Sequence, residues 1–295
     1  MSTLVRPSVT AAARRRAILF VCGSSALFSF ASALVKALAD DVPSIEIAFF
    51  RSFVAALAMM PVLLRPGGLG LLRTSHPWGH VGRTVNGFIG MITIYYGYAH
   101  LPLELATALS FAMPLVLSLL SMPLLGERVG PVRLAAVLVG FLGVLVMLRP
   151  WDGADQALPI VPVAVVLTGV VAWALAMISI RRMGAAGERN LTIVLWFSIG
   201  CTLQSGLCAI PFWVWPDAWQ LAGLVAVGLI SAVAQLLMTQ GYRSAESALL
   251  APFEYGAVIY AAALGLAFWG EIPDPWSVVG ILILIGAGIV VWRRG

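Results

Sequence analysis

Ten apolar stretches of about twenty residues each dominate the chain, and few folds can accommodate such a pattern. They run roughly over residues 17–38, 43–64, 79–99, 102–125, 130–149, 158–181, 191–215, 219–241, 246–270 and 275–293. A helix of that length matches the hydrocarbon thickness of a bilayer. Inside hydrocarbon, backbone polar groups must be satisfied without water, which leaves helices or closed barrels. The runs are continuous and do not alternate in segments of about ten, so the barrel is excluded. Asp40-Asp41-Val42-Pro43, Arg65-Pro66-Gly67-Gly68, Leu101-Pro102, Gly130-Pro131, Arg149-Pro150, Pro216-Asp217 and Pro273-Asp274-Pro275 separate the runs as turns do. Apolar residues make up 61% of the chain and charged ones 11%, against about 25% charged in soluble domains. Ten short-looped crossings consume all 295 residues, leaving no room for a soluble catalytic domain.

The placement of charge orients these spans. With the N-terminus cytoplasmic, Arg6, Arg14, Arg15, Arg16, Arg65, Arg73, Arg128, Arg133, Arg181, Arg182, Arg189, Arg243, Arg293 and Arg294 fall on the cytoplasmic side. Only Lys36 and Arg149 fall opposite, while Arg51 and Arg83 lie within spans. This bias places both termini inside. Arg14 to Arg16, the apolar run and Ala37-Leu38-Ala39 resemble a signal peptide, but a run of 17–38 is too long for its core and reads as a retained first helix. Cys22, Cys201 and Cys208 lie in apolar runs and are expected to be free, buried thiols. Arginine outnumbers lysine, which points to a GC-rich bacterial genome and an inner membrane.

Shifting the sequence by half its length exposes a repeat. Gly97-Tyr98 falls on Gly241-Tyr242, Gly126-Glu127 on Gly270-Glu271, Pro131 on Pro275 and Arg149 on Arg293. Five spans per half is an odd number, so the second half enters the membrane upside down, a transporter signature. The expected fold is an all-α polytopic membrane protein, ten transmembrane helices arranged as two inverted five-helix repeats, residues 1–150 and 151–295.

The stretch YYGYAHLPLELATALSFAMPLVLSLLSMPLLGERVGP (95–131) resembles the core of EamA-type exporters in the drug/metabolite transporter superfamily. QGYRSAESALLAPFEYGAVIYAAALGLAFWGE (240–271) is similar to the same pattern, and FFRSFVAALAM (49–59) to that family's second helix. The resemblance implies a two-repeat carrier with a central cavity, typically exporting amino acids or other amphipathic metabolites. The second copy carries Glu254 in a region where the first has Ser110, so the halves differ chemically.

Candidate substrate-binding residues are those whose polarity is costly against lipid. Arg83, Asn86, Gly87, Gly90, Met91, Ile94 and Tyr98 share one face of the third span. Arg83 could attract a substrate carboxylate, or snorkel to the cytoplasmic interface. Ser231, Gln235 and Thr239 form a stripe on the eighth span that either lines a cavity or bonds between helices. Glu254, beside Pro252, suits proton coupling, an anchor for a substrate ammonium, or a structural hydrogen bond. Ser25, Ser29, Ser32 and Lys36 share a face of the first span. Ser110 sits near Pro114 in a similar polar-plus-breaker pattern, and Tyr95, Tyr96, Trp173 and Tyr255 could stack on a ligand or fill the core. Trp151, Trp213, Trp215, Trp219, Trp276 and Trp292 read as interfacial anchors. Glu127 and Glu271, at helix ends, read as structural joints.

No GxxxxGK[ST] or HExxH occurs, and His76, His80 and His100 form no metal set. Asp152 and Asp155 read as a solvated loop. No cofactor, metal or nucleic-acid partner is expected. The partners are the bilayer and a small-molecule substrate, an amino acid or amphipathic metabolite, with oligomeric state open. The function expected is a secondary exporter. A membrane-embedded enzyme acting on lipid or prenyl substrates, or a channel, is the alternative.

Overall fold

The computed structural model describes residues 11–38, 41–100, 109–148, 160–270 and 275–294. Among these the secondary structure is entirely helical. The helices are α1 (Ala11–Leu38), α2 (Ser44–Ala58, extended by the turn Met60–Leu63), α3 (Pro77–His100), α4 (Met113–Leu125), α5 (Pro131–Leu148), α6 (Ile160–Ala185), α7 (Asn190–Ala209), α8 (Ala218–Ser244), α9 (Ser247–Glu254, resuming as Gly256–Trp269) and α10 (Pro275–Arg294). Six of these units, α1, α2, α6, α7, α8 and α9, are long and apolar enough to cross a bilayer, and α4, α5 and α10 contain shorter apolar helices. The protein is an all-α polytopic membrane protein of ten helices.

Local chemistry sets the ends. Pro77, Pro131 and Pro275 stand at first helical positions, where a missing N–H goes unnoticed. Asp217 and Gln220 form a reciprocal capping box that starts α8. α4 stops at Gly126, φ 63°, and its repeat mate Gly270 has φ 67°, a left-handed conformation open to glycine at little steric cost. α2 breaks at Met59, just before Pro61, and α9 breaks at Tyr255, just after Pro252. In both cases proline withholds a donor from the helix ladder.

Helix pairing follows the inverted repeat. Exchanging each helix for its mate five places along turns the α1–α8 pair into α6–α3, and these are the two most extensive contacts. The α2–α7 and α5–α10 pairs map onto themselves and come next. Lipid offers helices no hydrophobic incentive to associate, so backbone approach through small residues carries the packing. Gly169 of α6 faces Thr93 of α3, Gly90 of α3 faces Trp173 of α6, and Gly241 of α8 faces Val21 of α1. The larger core cluster joins α1, α4, α5, α6, α8 and α9 around Leu117, Met177, Tyr242 and Leu250. All three cysteines are free, but Cys208 is exposed on α7, contrary to the expectation of burial. It lies seven residues from buried Cys201 and so close to the same face, but in the last turn of α7.

A Cβ at Gly169 would overlap Thr93 Oγ1, which is itself held by Ile89 O at 2.8 Å. Gly169→Ala should therefore destabilise the α3–α6 pair by about 1–3 kcal/mol, read as a lower Tm in detergent. Gly286, with nothing near its Cβ position, should tolerate alanine without loss.

Candidate functional site

One end of the bundle, here called the base, gathers the start of α1, the starts of α3, α5 and α9 and the ends of α4, α6 and α8. The antiparallel contacts fix this: Gly241 meets Val21, Gly79 meets Met183, and Gly184 at the end of α6 meets Arg243 at the end of α8. The repeat mate of that last contact would join α1 to α3 at the opposite end, and no comparable packing exists between them among the described residues. Among the described residues the base is closed by packing that has no counterpart at the other end.

A polar network holds the base. Glu127, 5% exposed, accepts from the backbone N–H groups of Ser247 and Ala248 at 3.1 and 3.3 Å. It also accepts from Arg181 Nε at 3.3 Å. Arg181 Nη1 donates to Arg243 O at 3.2 Å, and Arg243 Nη2 donates to Glu188 O at 2.7 Å. Glu188 accepts from Thr74 Oγ1 at 2.7 Å, with His76 and His80 beside it. Arg133 pairs with Glu246. Glu127 thus caps the N-terminus of α9, where orphan donors and the helix dipole favour an anion. Sequence reasoning placed Glu127 at a joint, while Glu188, Glu246 and Thr74 drew no notice. Their only signal was position at span ends, because their partners lie far away in sequence. Glu271 lies outside the described residues.

Farther into the bundle lie three clusters. In the first, Tyr242 of α8 donates its hydroxyl to Glu254 Oε1 of α9 at 2.8 Å. Ser29 of α1 donates to Ala257 O at 3.2 Å, binding α1 against the same stretch of α9. In the second, Ser110 and Trp173 line a shallow hollow with Gly90, Ile94, Val166 and Gly169 between α3 and α6. Trp173 is 41% exposed, and its backbone sits over Gly90, where glycine gives it room. The third lies among α2, α3, α7 and α8. Arg83 is 2% exposed with its guanidinium carbon 3.8 Å from the Phe197 ring centre. Arg51, Ser52, Phe197, Ser198, Ser231 and Gln235 line a second hollow beside it.

The sequence-predicted residues therefore divide. Arg83 and Gln235 share the third cluster, Ser110 and Trp173 the second, and Glu254 belongs to the first. Asn86 turns back on its own helix, donating Nδ2 to Gly82 O at 2.8 Å. Tyr255, 1% exposed, packs on Gly140 of α5 and donates to Val137 O at 3.3 Å, so its ring fills an interhelical joint. Tyr95 lies on α3 with its side chain outside the described ones, as does that of Lys36 on α1. Asp152 and Asp155 fall outside the described residues. Arg51 was noted only as a charge within a span, and that same signal could have put it beside Arg83. Among the described residues no group of three or more His, Cys, Asp or Glu is placed to hold a metal ion.

The sequence profile of the EamA-like transporter family matches the chain twice, over residues 15–149 and 161–293. The chain belongs to the EamA-like transporter family. Its relatives include a riboflavin transporter of Rhizobium johnstonii, 31% identical over 85% of this chain and 82% of that protein. The pseudopaline exporter CntI of Pseudomonas aeruginosa is 30% identical over 94% of this chain and 95% of that protein. An S-adenosylmethionine uptake transporter of Rickettsia prowazekii is 28% identical over 87% and 85%. A solved crystal structure shares the fold, with TM-score 0.80 and 22% identity over 94% of this chain and 98% of that one. This family member is a multi-pass membrane transporter within the drug/metabolite transporter superfamily, and its cargo is a small molecule.

Breaking one partner of a buried ion pair costs about 3–5 kcal/mol. Glu127→Ala should lower Tm by more than any other single change at the base, since it frees Arg181 and two backbone donors together. Arg182→Ala, which removes one exposed bond to Leu124 O, should change Tm little. Equal Tm losses in the two variants would contradict the assigned role of Glu127.

Proposed function

We propose that this EamA-family chain is a secondary carrier that exports an amino acid or related amphipathic metabolite by alternating access. Both termini lie in the cytoplasm of a bacterial cell, and the base is the cytoplasmic gate. The observation that carries this reading is the asymmetry of the exchange-related contacts. Among the described residues the α6–α8 ends are packed at the base while their α1–α3 counterparts show no comparable contact. Two inverted halves, residues 1–150 and 151–295, can exchange such conformations and so open first one end and then the other.

The arginine bias toward the base supports the cytoplasmic assignment. The direction of transport rests on the similarity of residues 95–131 and 240–271 to EamA-type exporters, and on the near-full-length match to the pseudopaline exporter. Substrate contacts come from Arg83, Gln235, Trp173 and Ser110, each on a helix that borders the inner hollows. Asn86 and Tyr95 lie on the same helix as Arg83, while Tyr255 packs on α5 away from these hollows. Glu254 is the coupling acid. Its hydrogen bond to Tyr242 ties it to α8.

Proteoliposomes loaded with a mixture of amino acids should show trans-stimulated, saturable uptake of at least one labelled amino acid. Glu254→Gln should keep that exchange and lose its dependence on pH. A non-saturable flux without trans-stimulation would indicate a channel, and unchanged pH dependence in Glu254→Gln would remove the coupling role. Turnover of a lipid by the solubilised protein would replace the carrier with an enzyme.

A further inference from the structure

A membrane-embedded arginine is costly unless something answers its charge, and the third inner cluster holds two of them. Arg83 on α3 is 2% exposed, and its Nε has no hydrogen-bond partner. Arg51 on α2 is half-buried and lines the adjoining hollow, its guanidinium carbon 5.3 Å from the Phe28 ring of α1. Phe197 of α7 is common to both: it lies under Arg83 at 3.8 Å and lines the hollow with Arg51. No ion pair joins either arginine to a described carboxylate, whereas Arg133 and Arg181 at the base both have one.

The remaining polar groups point the same way. Ser231 Oγ and Gln235 Nε2 of α8 are buried without partners, in side chains 3% and 5% exposed. Guanidinium, hydroxyl and amide N–H are all donors, and among the described residues no carboxylate is bonded to them. Two like charges sharing one aromatic neighbour repel each other unless an anion sits between them. Gly87 lets Arg83 and Phe197 pack directly on the α3 backbone, since a Cβ there would come within 2.5 Å of Arg83 Nη1 and 2.8 Å of Phe197 Cε2. α3 and α8 share no extensive contact among the described residues, and α6 and α7 pack against both.

We infer that Arg51 and Arg83 form a carboxylate clamp, a subsite for the acidic end of an amphipathic organic acid or amino acid whose apolar body lies against Phe197 and Phe28. This rests on the carrier reading above and assigns its substrate class. A carboxylate offers two coplanar acceptor oxygens, which suits guanidinium forks better than a single-point anion does. Ser231 and Gln235 supply the donors for the lone pairs the arginines leave over. The aromatic faces stabilise the guanidiniums while a ligand's apolar part covers them.

The test uses the full-length chain, solubilised and reconstituted. The probes are the standard amino acids and 3-phenylpropionate, each beside its primary amide, with sodium chloride and inorganic phosphate as anion controls. At least one acid should raise Tm while its amide does not. Arg83→Gln should weaken the half-saturation for that acid about 10- to 100-fold. Its ligand-free Tm should equal or exceed that of the unmodified chain, because an unanswered buried charge has been removed. Arg51→Gln serves as the second variant and should weaken the same acid. The clamp is overturned if amides act as well as acids, if no acid acts, or if chloride or phosphate stabilises as well as the acids do. It is also overturned if both variants bind normally or both lose ligand-free stability. Counterflow separates this from the carrier reading. Exchange of amides but not acids would keep the carrier and remove the clamp, while acid binding without counterflow would do the reverse.

Discussion

Glu127 accepts three hydrogen bonds from two different elements, and the closed end of the protein is organised around it. The carboxylate sits where the orphan N–H groups of α9 converge, the place on a helix most favourable to negative charge. Arg181 brings the end of α6 to the same carboxylate and then reaches on to the carbonyl of Arg243 at the end of α8. One side chain therefore ties α4 to α6 and α9, and through α6 to α8. Burial makes the arrangement decisive: a carboxylate this enclosed is tolerable only while its partners stay in place. Opening the base means exchanging these bonds for water, all together.

The same helix links gate to interior. α9 begins on Glu127, and seven residues after Ser247 it ends its first segment at Glu254, hydrogen-bonded to Tyr242 of α8. Tyr242 is fully enclosed, so its hydrogen bond joins α8 to α9 inside the bundle, while below it Glu127 holds α9 directly and α8 through Arg181. The break at Tyr255, three residues after Pro252, gives α9 a joint between the segment that starts on Glu127 and the segment packed more extensively on α1. Helices packed through glycine, such as α3 on α6, are bistable and not continuously deformable, because a Cβ-sized shift already produces a clash.

Much of this was legible in the sequence, for identifiable reasons. Apolar runs and their proline and glycine breaks gave ten helices because bilayer thickness and backbone hydrogen bonding leave no other reading. The paired Gly126 and Gly270 show as the same left-handed turn in both halves. Charge within a span singled out Arg83 and Glu254, since lipid penalises both. Asn86 and Tyr255 looked alike as candidates, yet one bonds its own helix and the other fills a joint; a polar face shows that a side chain points inward and leaves its partner undetermined. The base network was hidden because Thr74, Glu188 and Glu246 find partners across 114, 55 and 113 residues of sequence. Cys208 was misread because it shares nearly the same helix face as buried Cys201, and only its place in the last turn of α7 leaves it exposed.

The central claim is that the two ends of the bundle open in alternation. It is tested most directly by spin-label distances on a variant lacking Cys22, Cys201 and Cys208. One pair joins Ala186 and Ser244 across the base, and the other joins Leu34 and Tyr96 at the opposite end. Adding a substrate found by counterflow should lengthen one distance population and shorten the other, in a fixed ratio across the titration. Two distances that move in the same direction, or one that changes while the other stays fixed, would contradict alternating access.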